Sequence, residues 1–324
     1  MDSATAEPTP EMQAVLQQLD ALGPKPLETL SPEDARQQPT PADAVKALLI
    51  RQGKSTAPEP LARVADQMIT GAAGPLPARI YWPAGPGPFP ILVYYHGGGW
   101  VIGSKDVYDS STRALANLAG AVVISVDYRL GPEHPFPAAH DDAYAAYTWA
   151  RANAGTVNGD PSRIAVGGES AGGNLAVSTS MMARDRRTPL PVFQMVVYPI
   201  AGADMDTASY HQHAMAKPLS KVMMAWFFDH YLPRPADRQD PRINLVAADL
   251  KGLPPTRIVT AGIDPLRSEG DALAGRLRDA GVAVETKHFD GVAHEFFGMS
   301  AVLPEAKDAQ AFVAEGLRGA FARR

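Results

Sequence analysis

Five short, dominantly apolar runs constrain this chain more than any other feature: ILVYY at 91–95, AVVISV at 121–126, RIAV at 163–166, FQMVVY at 193–198 and RIVTA at 257–261. Each is too short for a helix and shows no polar face, the pattern of a strand covered on both sides. Between them, alanine-rich segments around 107–120, 138–154, 171–186 and 267–280 space their apolar residues as helices do. Strand alternating with helix predicts a parallel sheet flanked by helices on both faces. AVETKHF at 283–289 adds a strand and 304–322 a final helix. Upstream, Leu76, Ala78, Ile80 and Trp82 share one face, and with the alternating stretch 62–69 they predict an antiparallel hairpin. The expected fold class is therefore α/β, with a mostly parallel eight-stranded sheet.

Residues 203–252 break this rhythm. They hold no strand candidate, yet they carry the aromatic cluster Trp226, Phe227 and Phe228. An insertion of that size between sheet strands is expected to fold back over their C-terminal edge. Near the N-terminus, Met12, Val15, Leu16 and Leu19 lie on one face of a helix across 9–22, and PADAVKALLI predicts a second helix after a polar, proline-rich link. The reading that follows is a helical cap in two pieces on a single core. Residues 1–50 form its N-terminal part and 203–240 its inserted helices; 51–202 and 241–324 form the two parts of the core.

Composition narrows the function. A net charge of −5 offers nucleic acid no general attraction, and no basic stripe compensates. No apolar run reaches the length of a membrane-spanning helix. MDSATAEPTPEM is acidic and proline-bearing, unlike a secretory signal, so a cytoplasmic address is expected. With no cysteine, the chain has neither thiolate chemistry nor Cys-ligated metal at its disposal. Any catalysis falls to hydroxyl, imidazole or carboxylate groups or to a metal site without thiol ligands.

One serine stands out. Gly168-Glu169-Ser170-Ala171-Gly172 fits G-x-S-x-G, preceded by the RIAV strand and followed by a helical segment. This is the strand–turn–helix setting of a nucleophile elbow. The turn crowds positions two before and two after the serine against backbone, which Gly168 and Gly172 permit. A serine hydroxyl needs a base and a carboxylate to orient that base, in the chain order serine, acid, histidine. His294 lies in GVAHEFFG after the last predicted strand, and Asp264 follows the strand before it. Asp290 and Asp271 are alternative acids near the same edge. His288 reads as a structural strand residue, and the pair His211 and His213 as a surface feature, because no third metal ligand accompanies it. No metal site is expected.

Acyl transfer also needs donors fixed where the anionic oxygen develops. The N–H of Ala171, at the start of a helix, is one. The loop YYHGGGWVIG should supply others, since Gly97, Gly98 and Gly99 let its backbone turn N–H groups inward. Trp100, Trp226 and Phe227 are candidates to line the substrate pocket, with ordinary core packing as the alternative.

HGGGW at 96–100, DYRLGPEHPFPA at 127–138, GESAGGN at 168–174, LPPTRIVTAGIDPLRSEG at 253–270 and the His294 loop together resemble the hormone-sensitive lipase-like family of α/β-hydrolase esterases. The resemblance runs from about residue 60 to the C-terminus. It implies the α/β-hydrolase fold, with Ser170 as nucleophile, Asp264 as acid, His294 as base, and Gly98, Gly99 and Ala171 as oxyanion donors. It gives His96 a structural role in the loop. It further implies small ester substrates of short to medium acyl chain, no cofactor and, often, a homodimer. The chain departs from the family pattern at Glu169, where Asp or Thr is usual, at Gly131, where Ala is usual, and at Ser268, where Asp is usual. Two other functions remain open on the same motifs. One is amide or lactone hydrolysis by the same triad; the other is a small-molecule receptor, which in this fold lacks the histidine that His294 supplies.

Overall fold

The structure, a computed structural model, describes residues 7–323; residues 1–6, half of the acidic N-terminal stretch, and Arg324 lie outside it. Among the described residues, eight strands form one sheet: β1 (Arg63–Gly71), β2 (Gly74–Trp82), β3 (Phe89–Tyr95), β4 (Val122–Val126), β5 (Gly159–Glu169), β6 (Gln194–Val197), β7 (Thr256–Ile263) and β8 (Val284–Ala293). Their order is β1-β2-β4-β3-β5-β6-β7-β8. The first two pair as the expected antiparallel hairpin, β2 runs antiparallel to β4, and every later neighbour is parallel. This is the α/β-hydrolase arrangement.

Ten α-helices accompany the described strands: α1 (Pro10–Ala21), α2 (Pro32–Ala35), α3 (Pro41–Arg51), α4 (Asp109–Ala119), α5 (Ala138–Asn153), α6 (Ala171–Asp185), α7 (Ala208–Gln212), α8 (Lys221–Tyr231), α9 (Arg267–Asp279) and α10 (Pro304–Ala322). The unbroken apolar runs have a direct cause: alternate residues of each strand enter different cores. Ile91, Val93, Ile124 and Val166 pack with Ala143 and Ala146 of α5 and Leu175 of α6, while Val196 and Ile258 meet Leu273 and Leu277 of α9. On the opposite face Leu92, Val123, Ala165, Met195 and Val259 pack with Leu115 of α4 and Val313 and Leu317 of α10. No helix among the described residues is long and apolar enough to cross a membrane.

Two boundaries differ from the sequence expectation. β5 starts at Gly159, ahead of RIAV, because exposed and polar residues can join a ladder without an apolar signature. β8 runs past Phe289 to Ala293. The apolar signal stops at Asp290 and Gly291, but after a register shift the ladder resumes with Ala293 opposite Ile263. His294 therefore leaves directly from a strand end. The proline-rich N-terminal link is also more ordered than a linker. Ser31 caps α2 through a 3.1 Å bond from Asp34 N–H, and Thr40 with Asp43 closes a reciprocal capping box on α3. Just after α2, Arg36 donates to the carbonyls of Val101 and Gly131 at 2.9 and 2.8 Å, joining this segment to the loops after β3 and β4.

One buried histidine underlies the fold rather than the chemistry. His140 in α5 is wholly buried, and its Nε2–H donates to Asn174 Oδ1 at 3.0 Å while Nδ1 accepts from the Tyr231 hydroxyl at 2.8 Å. Asn174, in α6, donates its amide to the carbonyls of Ile200 and Ile243, which fixes its flip. Burial pushes the imidazole down to about 4. A group whose folded value lies below its unfolded value near 6.5 stabilises the fold above that pH and loses its contribution as pH falls toward the folded value. The linkage amounts to about 2 kcal/mol between pH 7 and pH 5. Urea unfolding at the two pH values should therefore show a steeper acid loss in the native protein than in His140→Gln; equal slopes would refute this account of His140.

Candidate active site

Three strand ends deliver the three side chains. Ser170 follows β5 and precedes α6 with φ 58° and ψ −117°, a conformation an L-residue adopts only when its surroundings enforce it. Its N–H donates to Val197 O at 2.9 Å, and its carbonyl accepts from Asn174 and Ile200, which together pin the turn. The flanking glycines are sterically required. A Cβ on Gly168 would stand 2.4 Å from Tyr95 O, and one on Gly172 only 1.9 Å from the same oxygen.

Asp264 leaves the end of β7, fully buried, with Oδ1 accepting from Leu266 N–H at 2.8 Å. His294 leaves β8. Its Nδ1–H donates to Asp264 Oδ2 at 2.7 Å, and Ser170 Oγ donates to its Nε2 at 3.0 Å. Positions 170, 264 and 294 thus meet in one hydrogen-bonded line. The other two acids do not reach it: Asp290 pairs with His288 at 3.1 Å on the surface, and Asp271 is exposed on α9.

The glycine loop lies against the elbow. A Cβ on Gly97 would lie 3.2 Å from Glu169 O, and one on Gly172 would lie 2.6 Å from His96 O. Gly98 and Gly99 hold φ of 95° and 57°. His96 is buried, donates from Nδ1 to Gly97 O at 2.7 Å and stacks on Tyr128 with ring centroids 4.2 Å apart. The Tyr128 hydroxyl in turn donates to His96 O at 2.8 Å. Trp100, also left-handed at φ 61°, is wholly buried and stacks on Tyr231 of α8 at 4.9 Å. The Phe227 ring occupies the space a Gly99 Cβ would take, 2.3 Å from that position, and Trp226 sits edge-on to it and over His230. Behind the acid, Ser209 of α7 donates to Pro265 O at 2.6 Å and exchanges bonds with Ser268 at 3.0 and 3.1 Å. The inserted segment therefore touches both the glycine loop and the acid loop.

His211 is exposed and pairs with Asp206 at 2.7 Å, whereas His213 is buried; among the described residues no three His, Cys, Asp or Glu side chains converge as metal ligands.

A family model for the alpha/beta hydrolase fold matches residues 92–298. The chain belongs to the α/β-hydrolase family. Its hormone-sensitive lipase-like motifs and its relatives agree on that placement. Carboxylic ester hydrolase LipN of Mycobacterium tuberculosis is 44% identical over 243 residues, 73% of this chain and 65% of the relative, so this chain spans just under two thirds of that protein. An ethyl acetate hydrolase of Pseudomonas putida is 35% identical over 299 residues, covering 90% of this chain and 92% of its own. Among solved structures, the hyperthermophilic esterase of the archaeon Pyrobaculum calidifontis is similar at a TM-score of 0.89 and 38% identity, covering 98% of this chain and 100% of that one.

Sequence reasoning missed a ring of polar groups behind the elbow in this α/β-hydrolase. Glu169 is fully buried and accepts from the hydroxyls of Tyr94 and Tyr198. Glu295 accepts from Tyr108 at 2.7 Å. An acidic residue directly after the histidine, in HEFFG, was the available signal, but nothing in the sequence relates it to Glu169.

Proposed function

We propose that this α/β-hydrolase is a carboxylesterase that works through an acyl-enzyme on Ser170. The observation that carries the reading is the continuous line Asp264–His294–Ser170 at 2.7 and 3.0 Å. His294 Nε2 takes the hydroxyl proton as Ser170 Oγ attacks the ester carbonyl, while Asp264 holds the tautomer and stabilises the imidazolium. The carbonyl oxygen becomes an anion that the N–H groups of Gly98, Gly99 and Ala171 stabilise, the last aided by the start of α6. His294 then gives its proton to the departing alcohol. In the second half a water attacks the acyl carbon, with His294 again as base, and Ser170 is restored.

Residues 1–50 and 203–240 serve as the cap over this site. Support comes from the contacts of α7 with the acid loop, of α8 with Trp100 and Gly99, and of Arg36 with the glycine loop. Phe227 beside Gly99 narrows the space available to substrate, and a relative named for ethyl acetate hydrolysis fits the same preference. Substrates are therefore esters of short to medium acyl chain.

A panel of p-nitrophenyl esters from two to sixteen carbons, run beside matched anilides, tests this directly. The highest kcat/KM is expected at the short end, falling by roughly tenfold or more for the longest chains, with anilides slower by about 10² or more. Anilide turnover equal to or faster than ester turnover would replace the ester reading with an amidase.

A further inference from the structure

His294 has a second acidic neighbour besides Asp264. Glu295, held in the left-handed region at φ 71°, places Oε1 3.8 Å from His294 Nε2. Among the described residues that imidazole is the only ionic partner within 4.0 Å of either Glu295 or Glu169. The Tyr198 ring lies 4.5 Å from the His294 ring, centroid to centroid, and its hydroxyl donates to Glu169. Glu169 and Glu295 line one small cavity of about 20 Å³ together with Tyr108 and Ser111. Ser111 Oγ is buried in the same wall, facing Glu169. A space of this size with several polar walls suits a single water molecule.

We propose that Glu169 and Glu295 form a buried acid pair whose negative charge biases His294, setting the pH at which the imidazole is free to act as base. The proposal rests on the assignment of His294 as the base and makes both glutamates positioning residues.

Two carboxyls in one buried pocket cannot both ionise cheaply. The groups that face them are hydroxyls of Tyr94, Tyr198, Tyr108 and Ser111, with His294 and Asp264 beyond Glu295, and among the described residues no Lys or Arg forms an ion pair with either. Burial, reinforced by the Glu295 carboxyl, pushes Glu169 up to about 7 against the pull of its two tyrosines. Burial likewise raises Glu295, opposed by His294 and Tyr108. The pair then carries about one negative charge beside the imidazole near neutral pH. Burial by itself would lower His294; Asp264 first, then Glu295 and Glu169, outweigh it, so His294 stands above its ordinary value. The same charge stabilises the imidazolium that forms as Ser170 attacks. A stronger base is obtained, and it is free only at higher pH.

The test reads His294 directly. In a Ser170→Ala background, NMR titration of labelled histidine gives the His294 midpoint without any turnover. Glu295→Gln is expected to lower that midpoint by about 1 pH unit or more. Glu169→Gln should leave it in place or raise it, since the remaining charge then sits on Glu295, the nearer carboxyl, and Glu295→Asp should keep most of the native value because it keeps the charge. In the active enzyme, the rising acid limb of kcat/KM should follow the His294 midpoint of each variant. A merely structural role would lower kcat and leave the midpoint in place. An unchanged midpoint in folded Glu295→Gln overturns the proposal. Failure of the esterase reading would appear separately, as activity surviving in Ser170→Ala.

Discussion

Ser170→Ala is expected to lower kcat on ester substrates by on the order of 10⁴–10⁶ while the protein folds and melts nearly as before. The substitution removes one atom, Oγ, and with it the bond from the elbow to His294 Nε2 on which the proposed acyl transfer depends. It leaves the Cβ, so the left-handed strain at φ 58° and its three backbone bonds persist unchanged. Losing a single buried hydrogen bond costs about 1 kcal/mol, too little to unfold a core packed on both faces of an eight-stranded sheet. Activity that remains is expected from the proposed oxyanion donors and substrate positioning. Single-turnover kinetics beside a thermal melt would check both halves, and retention of most esterase activity would remove Ser170 from the mechanism.

Gly172→Ala should do the opposite, damaging the fold and the activity together. Helix propensity alone favours Ala over Gly by about 1 kcal/mol inside a helix such as α6. Sterics win here, because the new Cβ would lie 1.9 Å from Tyr95 O and 2.6 Å from His96 O, both backbone atoms of β3 and the glycine loop. Relief requires moving the elbow away from the loop that holds the proposed oxyanion donors. A loss of about 3 kcal/mol or more is expected, with kcat falling alongside. Gly275→Ala in α9 provides the contrast, since its Cβ would meet nothing within 4 Å; propensity then decides, and a gain of about 0.5–1 kcal/mol is expected. Urea unfolding of both variants reports the difference. A Gly172→Ala protein as stable and active as the native one would show that the elbow has slack the contacts do not allow.

The pair of substitutions also marks the limit of reading glycines in a sequence. Gly172 and Gly275 are both helical, and only the neighbours distinguish a required glycine from a replaceable one. The departure at Ser268 behaves similarly. In the structure its hydroxyl accepts from Ser209 N–H and its own N–H donates to Ser209 Oγ. A position that looks like a lost acid therefore ties α7 to the acid loop, a role visible only when two segments far apart in sequence meet.

The sheet was legible because burial on both faces writes itself as unbroken apolar runs, and the helices because their spacing repeats. Strand ends were less so: β8 continues past Asp290 and Gly291, where backbone pairing carries on without an apolar side chain to announce it. The candidate triad was legible as residue types in a required order after successive strands, since chain order and strand-end position follow from how a parallel sheet presents its loops. Asp264 fitted that rule best, with Asp290 and Asp271 as alternatives near the same edge, and the tertiary structure brings Asp264 to His294 Nδ1. The Glu169 and Glu295 pair lay wholly beyond sequence reach. Proximity between residues more than a hundred positions apart, and the low dielectric that makes it matter for a proton, exist only once the chain has closed around them.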